Sequence, residues 1–93
     1  MLMEIIHDKE EKEFILPLED GLQAKVSYTL EGSSEMRLVY SEVPNSLRGG
    51  GIGKKLVLET FEKLTEEGFK ATAVCSYIRV VAMRHPKWKS IIK

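Results

Sequence analysis

The sequence is sparing with cysteine and proline, carries no surplus of charge of either sign, and has no long apolar run. Its one cysteine, Cys75, cannot close a disulfide within the chain. The two histidines, His7 and His85, lie far apart, so no Cys/His set has zinc spacing and no metal is expected. Lys and Arg together number 14, as do Asp and Glu, so net charge offers no argument for nucleic acid or an anionic membrane as partner. No apolar stretch approaches the ~20 residues that span a bilayer. The opening MLMEIIHDKEEKEF meets charge too early for the apolar centre of a signal peptide. These absences predict a reduced, cytoplasmic setting. At 93 residues, the expectation is a single domain over 1–93 with one modest core.

What is present is a change of hydrophobic period. MEIIH (3–7) reads as a first strand and FILPL (14–18) as a second, with Pro17 suiting an edge or bulge. After the turn signal EDG, LQAKVSYTL (22–30) alternates cleanly, Leu22, Ala24, Val26, Tyr28 and Leu30 on one side. MRLVYSEV (36–43) makes a fourth strand, stopped by Pro44. From Ile52 the apolar residues recur every three to four positions through Leu64, the stripe of a helix on a sheet, and Gly68 suits its left-handed end. KATAVC (70–75) predicts a fifth strand and SYIRVVAMRH (76–85) a second helix, with Pro86 as its stop. PKWKSIIK reads as a tail whose Trp88 packs back on the domain. The order β-β-β-β-α-β-α gives an α+β fold: an antiparallel meander, then a helical crossover that sets strand five parallel to strand four.

Between the fourth strand and the first helix stand Gly49, Gly50, Gly51 and Gly53, four of the chain's seven glycines. N–H groups in the first turn of a helix have no intrahelical partners and lie at the positive end of its dipole. Bare backbone there lets several donors converge on one anion, so the cluster reads as a phosphate or pyrophosphate cradle. The bland alternative is a tight turn without a ligand. Two nucleotide motifs fail. A Walker A loop needs four residues before Gly-Lys, where Gly49 to Gly53-Lys54 leaves three. The dinucleotide fingerprint needs a third glycine where Lys54 stands.

Arg48, Gly51 and Gly53 do fit Arg-x-x-Gly-x-Gly. This resembles the acetyl-CoA pyrophosphate loop of the GNAT superfamily of N-acetyltransferases, which likewise follows the fourth strand and opens the long central helix. SEVP, LRGGGIGKKLV, EEGFKATAVCSYI and RHPKW are similar to the small single-domain GNAT-like proteins. The resemblance implies a truncated GNAT fold whose strands four and five splay apart to admit acetyl-CoA. Backbone near Glu42 and Val43 would hold the pantetheine arm. Arg48, Gly49, Gly50, Gly51, Ile52, Gly53 and Lys54 would hold the pyrophosphate. It departs from the full fold where only DKEEKE separates the first two strands, so much of the usual acceptor-binding half is missing. A second copy covering the exposed face, as a homodimer, is one expectation.

Three residues carry the candidate chemistry. Cys75, just ahead of a helix N-terminus, is placed to form a thiolate and accept an acetyl group; the alternative is an inert buried thiol. Glu42 is the carboxylate near the end of strand four, either a general base for an amine acceptor or a solvent-facing residue. Tyr77 could protonate the leaving CoA thiolate, or its ring could pack on the sheet. His85 before Pro86 suits a capping role, and Arg84 and Lys87 could touch the adenosine phosphate or be surface charge. Two functions follow: an N-acetyltransferase acting directly or through Cys75 on an unidentified amine, or a module that binds acetyl-CoA or CoA without turnover.

Overall fold

The computed structural model describes residues 4–93. Five strands form one sheet in the order β1-β2-β3-β4-β5: β1 (Ile6–Asp8), β2 (Glu13–Pro17), β3 (Gln23–Glu31), β4 (Glu35–Glu42) and β5 (Lys70–Ala73). The first four are antiparallel neighbours, and β5 pairs parallel to β4 after the crossover helix α1 (Ile52–Glu66). Two further helices follow, α2 (Ser76–Met83) and α3 (Pro86–Ile91). The α+β architecture and the parallel β4–β5 pair are as the sequence predicts. The first strand lies later than expected, and Met3 of that prediction falls outside the described residues.

One face of the sheet supplies the core. Phe14 and Leu16, Ala24, Val26 and Tyr28, Met36 and Leu38, and Ala71 and Ala73 are buried at alternate positions. They meet Leu56, Val57, Phe61 and Leu64 of α1 and Ile78, Val81 and Ala82 of α2. Leu22 and Leu30, the outer members of the β3 alternation, lie past the cover of the helices and are exposed. The opposite face carries polar pairs such as Lys25 and Glu13, 3.2 Å apart.

Three features escaped the sequence reading. The register of β3 against β4 shifts between Ser27, opposite Tyr40, and Tyr28, opposite Leu38, leaving Val39 as an extra residue in β4. Such a bulge reverses the alternation beyond it. Ser41, opposite Val26, therefore turns to the helix side, while Tyr40 and Glu42 turn to the open face. Second, the tail is helical. Pro86 ends α2 and also begins α3, where its fixed φ and missing N–H fit the first turn. Trp88 is buried as expected, its ring 5.3 Å from that of Phe61.

The third feature is a side-chain clasp on the edge strand. The His7 ring stacks on Phe14 with centroids 4.2 Å apart. Its Nδ1 lies 2.8 Å from Glu67 Oε1 and its Nε2 2.6 Å from the Tyr28 hydroxyl. Glu67 caps the C-terminus of α1, where Gly68 at φ 87° and the Phe69 N–H to Leu64 carbonyl bond (2.9 Å) close the helix. Burial is the main cause that pushes the Tyr28 phenol up from its ordinary pKa.

Candidate functional site

The chain leaves β4 through Val43 and Pro44 into a single 3-10 turn (Asn45–Leu47), then enters the glycines. Gly51 is the N-cap of α1 at φ 82°, a left-handed conformation that other residues adopt at a cost, and Gly49 is similar at φ 88°. The Gly51 carbonyl accepts the Lys55 N–H at 3.1 Å, which starts the helix. Among the described residues, no hydrogen-bond partner faces the N–H groups of Gly49, Gly50, Gly51, Ile52, Gly53 or Lys54. Six consecutive free donors at the positive end of a 15-residue helix form a strongly anion-seeking surface. The side chains of Val43 and Ile52 are partly buried and pack against the core. Arg48 is exposed beside the loop.

Gly53 answers to a different constraint. A Cβ there would lie 2.8 Å from the Tyr77 hydroxyl and 3.3 Å from its ring. Tyr77, in the first turn of α2, is therefore laid over the glycine loop with 44% of its surface exposed.

Next to the loop, β4 and β5 separate. Their last paired residues are Leu38 and Ala73, and the N–H groups of both Val74 and Cys75 converge on the Leu38 carbonyl at 3.0 Å. β4 runs on to Glu42 with no β5 partner. β5 is thus two residues shorter than predicted, and Cys75 lies beyond it as the N-cap of α2. The Cys75 Sγ stands 3.6 Å from the Ser41 Oγ that the bulge turns inward. Partial burial pushes the thiol pKa up, but the Ile78 N–H, the Ser41 hydroxyl and the Tyr77 N–H outweigh it, and the thiol ends below its ordinary value.

The structure brings Cys75 and the glycine loop to one end of the sheet and separates Glu42 from them. Glu42 is exposed on the open face, where its carboxylate accepts a hydrogen bond from the Tyr40 hydroxyl at 3.3 Å. Lys87 is engaged with Glu62 at 3.1 Å and lies over the Trp88 ring, so of the two cations weighed for a phosphate only Arg84 is free of an ion pair among the described residues. His85 is the N-cap of α3, yet its side chain makes no capping bond. Ser41 was missed because its inward turn depends on the bulge, which no local pattern announces.

Residues 13–91 match the family described as GCN5-related N-acetyl-transferase. The chain belongs to the GCN5-related N-acetyltransferase family. Relatives of this chain include the NATD1 proteins of Xenopus tropicalis and Homo sapiens. Each is 32% identical over 82 residues, spanning 86% of this chain and 74% and 72% of theirs. A GCN5-like protein from Staphylococcus aureus, solved in solution by NMR, shares the fold with a TM-score of 0.70 at 24% identity. That alignment covers 98% of this chain and 88% of the other. Acetyl-CoA is the cosubstrate of the GCN5-related family, and its thioester and diphosphate are the groups against which the loop and the splay can be read.

Proposed function

We propose that this protein binds acetyl-CoA with its diphosphate on the glycine loop and transfers the acetyl group to an amine by way of Cys75. What supports the reading is the junction itself: six unpartnered N–H donors follow the end of β4, and Cys75, whose thiol pKa lies below its ordinary value, stands where β4 and β5 separate. The unpaired edge of β4 beyond Leu38 offers amide hydrogen bonds to the pantetheine arm.

In the first step, the Cys75 thiolate attacks the acetyl carbonyl carbon, the carbon–sulfur bond to CoA breaks, and CoA leaves as a thiolate that takes its proton from water. In the second, a neutral amine attacks acetyl-Cys75, restoring the Cys75 thiolate. The amine's proton passes to solvent water; Glu42, exposed on the other face of the sheet from Cys75, is the base of the second reading only. The Tyr77 hydroxyl faces the loop, so we assign it to holding the diphosphate rather than to protonating the leaving thiolate. Direct transfer with Glu42 as base is the second reading, favoured by the same exposure of that carboxylate.

Incubating the protein with labelled acetyl-CoA, with and without candidate amines, tests this. One added acetyl mass, abolished by Cys75→Ser, supports the covalent route. CoA release only with an amine, unaffected by Cys75→Ser, supports direct transfer. Binding without release in any condition leaves a CoA-binding module.

A further inference from the structure

β5 is an edge strand, yet its outer row of backbone groups is not left open. On the inner side, the Lys70 and Val74 N–H groups donate to the Ser34 and Leu38 carbonyls at 2.9 and 3.0 Å. Ala71 and Ala73, at the alternate positions, therefore turn their backbone groups outward. The Ala71 carbonyl accepts the Lys93 N–H at 3.1 Å, and the Ala73 N–H donates to the Lys93 carbonyl at 2.7 Å. These two bonds make one rung of a parallel ladder, seated by the buried Ile92.

The Ala73 carbonyl has no such rung. It accepts from the Arg79 side chain instead, from Nε at 3.3 Å and Nη2 at 3.2 Å. Ala73 is fully buried, so water cannot replace that donor. The Arg79 main-chain N–H meanwhile donates to the Cys75 carbonyl at 3.0 Å. One residue thus holds the carbonyls on both sides of Val74, while the Val74 and Cys75 N–H groups are held by Leu38. Among the described residues Arg79 forms no ion pair, so no carboxylate draws its guanidinium away.

We propose that Arg79 is a positioning residue for acetyl transfer: by holding the Ala73 carbonyl on the outer edge of β5, it fixes where the chain leaves β4 and so where the Cys75 sulfur stands against the thioester. The inference rests on the reading that Cys75 accepts the acetyl group. Arg79 acts by geometry. The donors on the thiol are the Ile78 and Tyr77 N–H groups and Ser41, and the guanidinium is committed to a carbonyl two residues earlier. Two charged donors on one oxygen fix its direction more firmly than a single neutral one. They also polarise the peptide unit whose N–H bonds to Leu38, which tightens the inner bond as well. Attack needs the sulfur within roughly 3–3.5 Å of the acetyl carbon, and a misplacement of about 1 Å costs about a hundredfold in rate. The outer edge of β5 faces away from β4 and from the loop that follows it, so cosubstrate binding does not depend on this grip.

Single-turnover acetylation of Cys75 by labelled acetyl-CoA, followed by intact mass at rising concentration, tests this. Arg79→Ala should lower the saturating rate about ten- to a hundredfold and leave the half-saturating concentration within about twofold. Arg79→Lys, which keeps a charged donor for the carbonyl, should recover most of the rate. Iodoacetamide is small and needs no alignment with a bound cosubstrate, so it should label Cys75 in both variants at nearly the parent's rate. An unchanged acetylation rate in Arg79→Ala would overturn the inference. A parallel fall in acetylation and iodoacetamide labelling would do the same, because it marks a disrupted site rather than a misaimed sulfur. Equal losses in the alanine and lysine variants would also overturn it. Circular dichroism checks the fold, and if alanine unfolds the protein, Arg79→Gln takes its place under the same criteria. A parent never acetylated at Cys75 would remove the covalent reading and this inference together. A parent acetylated at the same rate as its Arg79 variants would remove the inference alone.

Discussion

The hydroxyl of Tyr77 occupies the space that a Cβ on Gly53 would need, at 2.8 Å. Glycine at this place is therefore a matter of room for a neighbouring helix rather than of left-handed backbone. Tyr77 is half exposed at the tip of a flexible side chain, so Gly53→Ala should displace it without harming the core. The substitution also improves helix propensity, by about 1 kcal/mol. The expected outcome is an unchanged or slightly raised Tm with weakened acetyl-CoA binding. Tyr77→Phe, which removes only the donor, should weaken binding in the same direction. Undiminished affinity in both variants would show that the hydroxyl takes no part in holding the ligand.

Gly51 separates backbone geometry from ligand binding. At φ 82°, with nothing within 4 Å of a built Cβ, Gly51→Asp meets only conformational strain, at most about 1–2 kcal/mol. The fold should persist while a carboxylate sits at the mouth of the free N–H cluster. Calorimetry should then find no acetyl-CoA binding, with far-UV circular dichroism unchanged. Equal affinity in variant and parent would dissociate the loop from the cofactor.

The meander, the crossover helix and the glycine loop were legible because each is written in local signals: alternation over 22–30, a helical stripe from Ile52, and turn residues between. The parts that were not legible depend on distant partners. Val39 becomes an extra residue only against β3, and this alone turns Ser41 toward Cys75 and Glu42 away. Pro86 carries two readings, stop and first helical residue, and only the burial of Trp88 against Phe61 selects the second.

His7 illustrates the same limit and supports a stability prediction. Its partners Tyr28 and Glu67 stand 21 and 60 residues away, and its side chain is 3% exposed. His7→Ala removes the stacking on Phe14 and leaves the buried Tyr28 hydroxyl without its partner. The expected loss is about 2–4 kcal/mol, read as a lower urea midpoint with unchanged slope. Acetyl-CoA affinity at the far end of α1 should be retained where the protein is folded. A loss under about 0.5 kcal/mol, typical of surface substitutions, would deny the clasp a structural role.

The last prediction concerns the pH dependence of Cys75. Its thiol is a neutral acid, so the donors that stabilise the thiolate in the fold lower its pKa below the ordinary value. That contribution to stability is fully present above the unfolded thiol's pKa and is lost as pH falls through the folded value. The reactive thiolate should therefore appear at lower pH than in a cysteine-containing peptide. Iodoacetamide labelling followed by intact mass across pH 6–10 gives the midpoint. Ser41→Ala deletes one of the donors, 3.6 Å from the sulfur, and should move that midpoint upward. Bound CoA should protect the thiol in both proteins, since the pantetheine sulfur would share its space. A midpoint equal to the peptide's would remove the electrostatic basis of the covalent route. Transfer would then rest on Glu42, and the amine rather than the thiol would be the group whose deprotonation sets the pH profile.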